Sequence, residues 1–525
     1  MIILGIGGIL GDAASALLQD GELVAAVEES KLVRLQSRWG GQREMPEHSI
    51  ATCLQLAGAR PDQVDAVAVV RPIPQSDFYL KLRAQFPASR IVMLGHHLAH
   101  AASAYYPSPF EEATVLTLDQ WGDLRCGARW HAQGTRMSLE QEHYFPDSLG
   151  DLYGRVAELL GFDANADEHK VQWLSVSGDD RYRDLFLEIL CLTDAGPHPD
   201  RSFFSTERLQ RGGFGARFYD RLGLKDGTPI PEEMRAHVAA GIQKATEAAV
   251  IRMAGKGRNL CMAGGLGLNA LLVSALENHG GYENVFVQPA AGNAGTAIGA
   301  VLEAWHGTYR QERRVKMDTL CLGPAYASSE IKQAVENCKL RFRHMLTTGE
   351  LIATAVQQFN ANKIVAWMQG RMEFGPRALG NRSILASPLD PYSTENLNAF
   401  IKHREPFRKF AASVPAELSA EYFGVGANAR FLSTVGRVRP GHREKFAAAI
   451  LAGDLVRVHT VDRAENSLYW NLLHAAGKAT GLPVLYNTSF NLFGEPLVCT
   501  PRDAVRSFYS SGIDAMFVGN YFLEK

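Results

Sequence analysis

The residues best suited to chemistry in this sequence are three arginines set among glycines. The stretch MQGRMEFGPRALGNRSILASP follows an apolar run and contains Arg371, Arg377 and Arg382. Guanidinium groups offer forked donors to phosphate oxygens, and glycines let the backbone approach a ligand closely. A solvated basic surface is the alternative, but unpaired charge is costly among glycine, proline and apolar residues. The stretch therefore predicts an anion cradle, in which Glu373 orients the arginines or contacts the ligand.

A second basic group follows in IKHREPFRKFAASV, which contains Lys402, Arg404 and Arg408. Together the two groups can bind several phosphates. Polar residues follow the last clear strand in LPVLYNTSFNLFGEP, where Asn487 and Ser489 are candidates to present an amide and a hydroxyl to a ligand. A capped turn explains these two residues almost as well.

Two histidines and an aspartate form a different kind of candidate site. In GHHLAHAASAYYPSP, His96 and His100 are four residues apart, which places both on one face of a helix. Asp119 ends an apolar strand and can add a carboxylate. Imidazole and carboxylate groups together suit zinc or iron. From spacing alone, a histidine-rich helix N-terminus without metal explains the pattern equally well.

Alternating strands and helices must position these residues. Strands are predicted at 2–6, 14–18 and 23–27, and a similar layout returns at 114–118 and 126–131. The repeated β-meander indicates a duplicated unit. Later strands at 364–368, 456–460 and 483–487 alternate with helical stretches, which is typical of a smaller α/β domain.

Two glycine-rich turns precede predicted helices. After a long helix at 231–256, Gly264 and Gly265 separate a short strand from a helix that begins at Asn269. Glycines 292, 295 and 299 repeat this arrangement. Backbone N–H groups at a helix N-terminus favour phosphate, so the two turns predict a nucleotide cleft.

Length and composition narrow the class of protein. A chain of 525 residues predicts two or more domains, and the polar stretch 309–319 is the expected linker. The net charge of -2 gives no broad field for nucleic acid, and the seven cysteines form no CxxC pair. No apolar run approaches the length of a bilayer crossing, so neither nucleic acid nor a membrane is an expected partner. Cytoplasm is the expected location.

The sequence resembles the O-carbamoyltransferases of nodulation-factor and antibiotic biosynthesis. The stretches that carry the resemblance span nearly the whole chain in order: DAASALLQDGELVAAVEE, HHLAHAASAYYPSPFEEATVLTLD, MAGGLGLN, QGRMEFGPRALGNRSILASP, REPFRKFAASV and NTSFNLFGEPLVCTP. The arginine-glycine stretch is the most specific of them. The resemblance implies a two-lobed N-terminal domain of the actin and sugar-kinase (ASKHA) class over 1–310, followed by a smaller YrdC-like α/β domain over 311–525.

The resemblance also implies a two-step reaction. The C-terminal domain makes carbamoyl adenylate from carbamoyl phosphate and ATP, with Mg²⁺ accompanying ATP, and the N-terminal domain transfers the carbamoyl group with the help of Fe²⁺ or a similar divalent metal. The implied metal positions are His96, His100, Asp119 and Asn293. The implied catalytic residues are His100, Asp12, Glu168, Lys170 and Arg377. The implied nucleotide and phosphate contacts are Gly264, Gly265, Asn269, Arg371, Glu373, Arg377, Arg382, Lys402, Arg404, Arg408, Asn487 and Ser489.

Several residues depart from the family pattern around the transfer step. Asn293 stands where an aspartate is usual, which predicts a weaker or absent metal ligand. Gln172 and Trp173 replace the usual methionine and glycine, and we expect Trp173 either to narrow or reshape the cleft or to provide a stacking face. These departures leave the acceptor open between a hydroxyl, favoured by analogy, and a nitrogen of a small natural product or sugar.

Two other functions compete with this interpretation. A sugar-kinase-like phosphotransferase would use the cleft directly and release ADP, whereas adenylate formation releases pyrophosphate and, after transfer, AMP. A nucleotide-binding scaffold without catalysis would release neither. The oligomeric state stays open, with a homodimer as one option.

Overall fold

The computed structural model describes residues 1–9, 11–35, 45–73, 76–194, 196–207, 210–312, 315–390 and 395–525. The chain forms two compact units. The first contains Met1–Leu23, Ser37–Ile50 and Ala57–Lys316, and the second contains Val24–Gln36, Ala51–Leu56 and Met317–Lys525. Two early segments thus belong to the second unit, whereas a division at residue 310 places them in the first. The assignment of 1–310 and 311–525 to separate reaction steps stays a prediction.

Two five-stranded sheets are found before residue 300, ordered β3-β2-β1-β4-β5 and β10-β9-β6-β7-β8. The strands of the first sheet are β1 (Ile2–Gly7), β2 (Ala14–Gln19), β3 (Glu22–Glu28), β4 (Ala66–Val70) and β5 (Arg90–Leu94). Those of the second are β6 (Glu112–Gly122), β7 (Arg125–Gln133), β8 (Arg136–Tyr144), β9 (Gly257–Ala263) and β10 (Tyr282–Val287). In each sheet the first strand pairs antiparallel with the second and parallel with the fourth. This shared order confirms the predicted duplication and the actin and sugar-kinase fold class.

Helices connect these strands and cover them. They are α1 (Glu29–Val33), α2 (Glu47–Ala57), α3 (Ser76–Gln85), α4 (His96–Tyr105), α5 (Leu149–Leu159), α6 (Glu168–Ser175), α7 (Arg183–Leu190), α8 (Ala216–Arg221), α9 (Glu232–Ala254), α10 (Ala270–His279) and α11 (Thr296–Glu303). The predicted long helix is α9, which begins after Pro231 and ends before Gly255, whose φ is 77°. Proline before a helix and glycine after it are favoured because proline fixes φ and glycine tolerates positive φ.

Strand β8 was not predicted. Its sequence RMSLEQEHY is mostly polar and lacks β-branched residues, which are the usual mark of a strand. It forms because it pairs along its length with β7 at the edge of the second sheet, where its side chains are largely exposed.

The second unit is built on a ten-stranded sheet ordered β11-β20-β19-β12-β13-β18-β14-β17-β16-β15. Its strands are β11 (Arg343–His344), β12 (Val365–Met368), β13 (Arg382–Ala386), β14 (Ala411–Pro415), β15 (Phe423–Gly424), β16 (Val435–Val438), β17 (Leu455–Val461), β18 (Leu485–Ser489), β19 (Ala515–Val518) and β20 (Tyr521–Glu524). Its later helices are α12 (Ser328–Asn337), α13 (Thr348–Asn360), α14 (Ser419–Tyr422), α15 (Ser467–Thr480) and α16 (Pro501–Tyr509). The strands predicted at 364–368, 456–460 and 483–487 are confirmed as β12, β17 and β18.

Both faces of this sheet carry hydrophobic core. Side chains of a strand alternate between the two faces, so Ala366 and Met368 join one core cluster while Val365 and Trp367 join the other. Such central strands are fixed in register from both sides, which gives a rigid base for residues at their ends. Among the described residues, no helix combines the length and apolar character that crossing a lipid bilayer requires.

Candidate functional site

Three side chains of the first unit converge on one point. His96 Nε2 and His100 Nε2 lie 3.0 and 3.1 Å from Asp119 Oδ2, and the two nitrogens are 3.1 Å apart. All three side chains are buried or nearly so. Two imidazole nitrogens and a carboxylate oxygen that face each other are suitable ligands for a divalent transition metal. The predicted metal positions His96, His100 and Asp119 are therefore brought together.

Close packing around glycines places these three groups. Helix α4 is buried along nearly its whole length and packs against α11, where a side chain at Gly299 would collide with the carbonyl of Ala99. A side chain at Gly122 would collide with the ring of His96. The pairing of β6 with β7 shifts register between Leu118 and Gly122, so Asp119 lies at an irregular end of its strand. Such irregularities redirect side chains beside functional sites.

The protonation states suit metal binding. Burial lowers the pKa of His100, which keeps its imidazole neutral at neutral pH. Burial by itself raises the pKa of Asp119, but hydrogen bonds from His100 and His96 outweigh it and hold this pKa well below its usual value. Neutral imidazole and ionised carboxylate are the forms that donate electron pairs to a metal.

Asn293 is the fourth predicted metal position. It begins the short helical turn Asn293–Gly295, which contacts α4, and its Oδ1 is buried without a hydrogen-bond partner among the described residues. A buried carbonyl oxygen without a partner costs roughly 1–3 kcal/mol, and a cation would satisfy it. The triad therefore fits a divalent metal. A ligand role for Asn293, where the family usually has a charged residue, stays a prediction.

We expect that Asn293→Asp tightens metal binding by roughly tenfold, because a charged ligand replaces a neutral one. Titration of the metal-free protein with Co²⁺ in competition with a chelator measures the affinity. Asn278→Asp, which adds the same charge on the exposed face of α10, should leave it unchanged. Equal affinity in all three proteins would show that Asn293 does not ligate the metal.

The first glycine turn, at Gly264 and Gly265, lies beside the triad. Side chains of the protein already occupy the N-terminus of the helix that follows this turn. A side chain at Gly265 would come within 3.0 Å of Asp119 Oδ1. The side chain of Asn269 accepts a hydrogen bond from Leu272 N at 3.0 Å and donates to Gln243, which makes it the N-cap of α10. Asn269 therefore stabilises the helix through its own side chain, and the structure shows it in this role.

The side chain of Gln172, which lies on α6, also contacts the N-terminus of α10. Its Oε1 accepts a hydrogen bond of 3.0 Å from Ala270 N, the first N–H group of α10. A phosphate at a helix N-terminus needs these N–H groups as donors, and here side chains of the protein use them. Gln172 and the neighbouring Trp173 are both buried, so the departures from the family pattern lie within the packed interior of this unit.

The remaining candidates of the first unit are spread over other elements. Asp12 lies exposed in the turn between β1 and β2 with a φ of 64°. Glu168 begins α6 and accepts a hydrogen bond from Asn165 N, and burial raises its pKa. Lys170 forms an ion pair of 3.0 Å with Asp167. Their catalytic roles stay predictions.

A cluster of cations in the second unit includes Arg457 and three arginines whose charges act on it. Arg457 lies on β17, where burial and then the charges of Arg377, Arg404 and Arg408 lower its pKa well below the usual value. Burial lowers the pKa of Arg377 to about 10. Burial and the charge of Arg408 lower the pKa of Arg404 to about 9. Glu405 offsets part of this repulsion through its ion pair of 3.6 Å with Arg408, and a bound anion would remove more of it.

Lys402 is the most buried member of this cluster. Only 2% of its surface is exposed, and burial followed by the charges of Arg404 and Arg408 lowers its pKa well below the usual value. Its Nζ donates to the backbone carbonyls of Ser489 and Asn491 and, at 2.7 Å, to Asn491 Oδ1. The ammonium group is thus held in place by the loop that follows β18.

The polar residues around β18 link this loop to the arginine turn. Asn487 Nδ2 donates to the carbonyl of Ala378, next to Arg377, at 3.0 Å. Arg404 Nη1 donates to Thr488 Oγ1 at 3.2 Å. The predicted residues Arg377, Lys402, Arg404 and Arg408 are therefore brought together. Asn487 ties the arginine turn to β18, and the backbone of Ser489 holds Lys402.

Two of the predicted arginines have a different environment. The guanidinium groups of Arg371 and Arg382 donate to backbone carbonyls, and Arg382 is completely buried. The carbonyls that accept from Arg371 belong to Val24, Leu322 and Gly323, and those that accept from Arg382 include Gln369, Gly370 and Pro324. These bonds hold the ends of the turn and its neighbouring strand. The geometry favours a structural role for both side chains.

Glu373 has a similar role. Its Oε1 accepts hydrogen bonds of 2.8–3.0 Å from the backbone N–H groups of Leu379, Asn381 and Arg382. A carboxylate that accepts several N–H groups fixes the course of a turn. Glu373 therefore orients the turn that contains Arg377 and does so through the backbone.

Sequence reasoning missed Arg457. It lies in LVRVHTV, where Arg457 and His459 are two residues apart and therefore project from the same face of a strand. His459 Nδ1 is 3.1 Å from Ser413 Oγ, and burial lowers its pKa to about 3. Basic residues at alternate positions of an apolar strand were the available signal for a polar site on that face.

The sequence matches two family descriptions, “Carbamoyltransferase N-terminus” over residues 78–302 and “Carbamoyltransferase C-terminus” over residues 356–525. The uncharacterized protein sll1178 of Synechocystis is 32% identical across 100% of this chain and 96% of its own length. Nodulation protein NolNO of Sinorhizobium fredii is 31% identical across 98% of this chain and 79% of its own. Among solved structures, component A of (R)-2-hydroxyglutaryl-CoA dehydratase from Acidaminococcus fermentans covers 59% of this chain and 99% of its own, with 17% identity and a TM-score of 0.38.

Proposed function

Because this chain belongs to the carbamoyltransferase family and is a carbamoyltransferase enzyme, we propose that it uses carbamoyl phosphate and ATP to form carbamoyl adenylate and then transfers the carbamoyl group to a small acceptor. The acceptor is a hydroxyl, or an amine, of a natural product or sugar. The observation that carries the proposal is the group of cations beside β17 and β18. Arg457 lies on β17, Arg404 donates to Thr488, Lys402 donates to the carbonyls of Ser489 and Asn491, and Arg377 is next to Ala378, whose carbonyl accepts from Asn487. Polyphosphate is the ligand that such a cluster suits best.

The first step forms the mixed anhydride of carbamate and AMP. Carbamoyl phosphate loses its phosphate to water and becomes carbamate, and a carbamate oxygen then attacks the α-phosphorus of ATP. The bond to the β-phosphate breaks and pyrophosphate leaves. Negative charge develops on the α-phosphoryl oxygens and the departing oxygen during this attack, and fixed guanidinium groups stabilise it without rearranging. Arg377 and Arg457 are the residues we assign to this task.

The second step breaks the bond between the carbamoyl carbon and the oxygen it shares with AMP. The acceptor oxygen attacks that carbon, gives up its proton, and AMP leaves. His96, His100, Asp119 and Asn293 would hold a divalent metal, which would polarise the carbamoyl carbonyl. The buried triad fixes the positions of these donors before any substrate arrives. In this proposal the first unit performs the transfer.

The helix N-terminus in the first unit supports this assignment over a phosphotransferase. Gln172 and Asn269 accept hydrogen bonds from the N–H groups of Ala270 and Leu272, which a nucleotide phosphate would otherwise use. The candidate site for ATP phosphates is therefore the cluster of the second unit.

The nucleotide product tests the proposal. We expect the protein, given ATP and carbamoyl phosphate, to exchange labelled pyrophosphate into ATP, and to release AMP when an acceptor is added. Chromatography of the nucleotides separates AMP from ADP. Release of ADP would favour the phosphotransferase, and a folded protein that shows no exchange would favour the scaffold.

A further inference from the structure

A short early segment of the chain is built into the second unit. Residues 24–34 comprise the end of β3, the helix α1 and Arg34, and they belong to the unit that otherwise begins at Met317. The carbonyl of Val24 accepts from Arg371 Nη2 at 2.8 Å, and Ala26 N donates to Leu322 O at 3.2 Å. The backbone of the segment is thus hydrogen-bonded to this unit, in addition to the contacts that side chains of α1 make.

Lys31 of this segment is bound to the arginine turn. Its side chain is only 7% exposed, and its Nζ lies 2.9 Å from Glu373 O, 2.8 Å from Gly375 O and 2.8 Å from Glu28 Oε1. An ammonium group has three N–H donors, and these three acceptors match them. Glu28 Oε1 also accepts from Gly375 N at 2.7 Å. Lys31 and Glu28 therefore bind the C=O and the N–H of Gly375, two residues before Arg377.

The backbone at this point needs an external support. Gly375 has a φ of 90°, a conformation that L side chains rarely adopt. Its N–H and C=O are both taken by side chains of the early segment, so the turn itself supplies neither partner. The direction in which Arg377 leaves the turn consequently depends on Lys31 and Glu28.

Arg34 binds the second loop that frames the cationic cluster. Its Nη1 donates to the carbonyls of Pro496 at 2.9 Å and Leu497 at 2.6 Å, and its Nη2 lies 3.0 Å from Glu495 Oε2. The carbonyl of Glu495 accepts from Asn491 Nδ2 at 2.7 Å. Asn491 in turn holds the ammonium group of Lys402. A chain of direct contacts therefore runs from Arg34 to Lys402.

We propose that Lys31 and Arg34 are positioning residues for carbamoyl-adenylate formation, fixing the two backbone stretches from which Arg377 and Lys402 reach the anion. The inference rests on the proposed function, because it assigns the cluster to phosphate. Neither residue touches the substrate. Their effect reaches the reaction through the placement of other cations, and misplacement of a binding group by about 1 Å can lower a rate roughly a hundredfold.

The test compares the wild-type protein with the double variant Glu28→Gln, Lys31→Met. Removing one member of a buried ion pair leaves an uncompensated charge, whereas replacing both keeps the fold, and the amide oxygen introduced by Glu28→Gln can still accept from Gly375 N. We expect the KM for carbamoyl phosphate in pyrophosphate exchange to rise about tenfold. The Kd for pyrophosphate, measured by calorimetry, should rise by a similar factor.

These constants separate positioning from general stabilisation. A lower folded fraction reduces the amount of active protein but leaves the KM and Kd of the folded molecules unchanged. Lys31→Arg keeps a cation at the two carbonyls and should restore both constants to within about threefold of wild type. Lys81→Met, which removes an exposed lysine paired with Asp77, should leave them unaltered.

Each result bears on a different proposal. Wild-type KM and Kd in the folded double variant overturn the inference and leave the proposed function standing. Absence of exchange in the wild-type protein overturns the proposed function, while the pyrophosphate Kd still reports on the positioning. If the double variant does not fold, Arg34→Lys is tested instead. Lysine keeps the positive charge at this position but lacks the forked N–H donors of the guanidinium group. Unchanged constants in Arg34→Lys then overturn the inference.

Discussion

Replacing Arg377 with methionine should lower the rate of carbamoyl-phosphate-dependent pyrophosphate exchange by about a thousandfold. A guanidinium group that meets developing charge on a phosphoryl oxygen contributes roughly 3–4 kcal/mol to the transition state, which corresponds to that factor. Exchange of labelled pyrophosphate into ATP measures the rate directly. Arg502→Met, which removes an exposed arginine of α16, is the matched control and should retain wild-type exchange.

The same variant should destabilise the protein less than Arg382→Met does. Arg377 contributes to the repulsion that lowers the pKa of Arg457, so its removal relieves part of this repulsion and offsets part of the contacts that are lost. Arg382→Met should lower the melting temperature clearly, because it deprives several buried carbonyls of their donor. A large loss of melting temperature in Arg377→Met would contradict a role in binding and indicate a role in folding.

Replacing His100 with glutamine should separate the two reaction steps. The variant loses one imidazole of the triad, so we expect bound metal to fall to below about a tenth of the wild-type content. Carbamoyl transfer to an acceptor that the wild-type protein modifies should fall by at least about a hundredfold. Pyrophosphate exchange should stay within about twofold, because the cationic cluster belongs to the other unit.

His97→Gln is the matched control for this experiment. His97 is the neighbour of His96 on the same buried helix, but its Nδ1 lies 2.9 Å from Thr117 Oγ1 and it is not part of the triad. It should keep its metal and its transfer activity. Metal content is measured by mass spectrometry of the purified proteins. Transfer that persists in His100→Gln after chelation would remove the metal from the mechanism.

Much of the fold could be predicted because local sequence agrees with tertiary structure. The apolar runs of β1, β9 and β12 are rich in β-branched or bulky residues, and α9 is bounded by Pro231 and Gly255. The triad could also be predicted, since a spacing of four on α4 fixes the relation of His96 to His100. Strand β8 escaped prediction because its pairing with β7, which its own residues do not indicate, holds it in place.

The roles of the arginines were less accessible to sequence reasoning. Arg371 and Arg377 lie in one glycine-rich stretch and look alike in the sequence, yet one donates to backbone carbonyls and the other joins the cationic cluster. Carbonyl acceptors exist at every residue and leave no mark in a sequence, so the difference between the two could not be derived from it. Arg457 joins the cluster from a distant strand, and only the sheet order places it there.

The interleaving of the two units has a consequence for how the protein is made. Residues 24–36 leave the ribosome long before Met317 and the strands that follow, so their final partners do not yet exist when the first unit begins to fold. N-terminal regions generally fold first during synthesis. Residues 24–36 are an exception, because they reach their final contacts only after the C-terminal part has been synthesised. The C-terminal part of the gene, expressed alone or fused to a foreign protein, would therefore lack Lys31 and Arg34. A chimera of two relatives therefore has to take residues 24–36 and the part that begins at Met317 from the same relative.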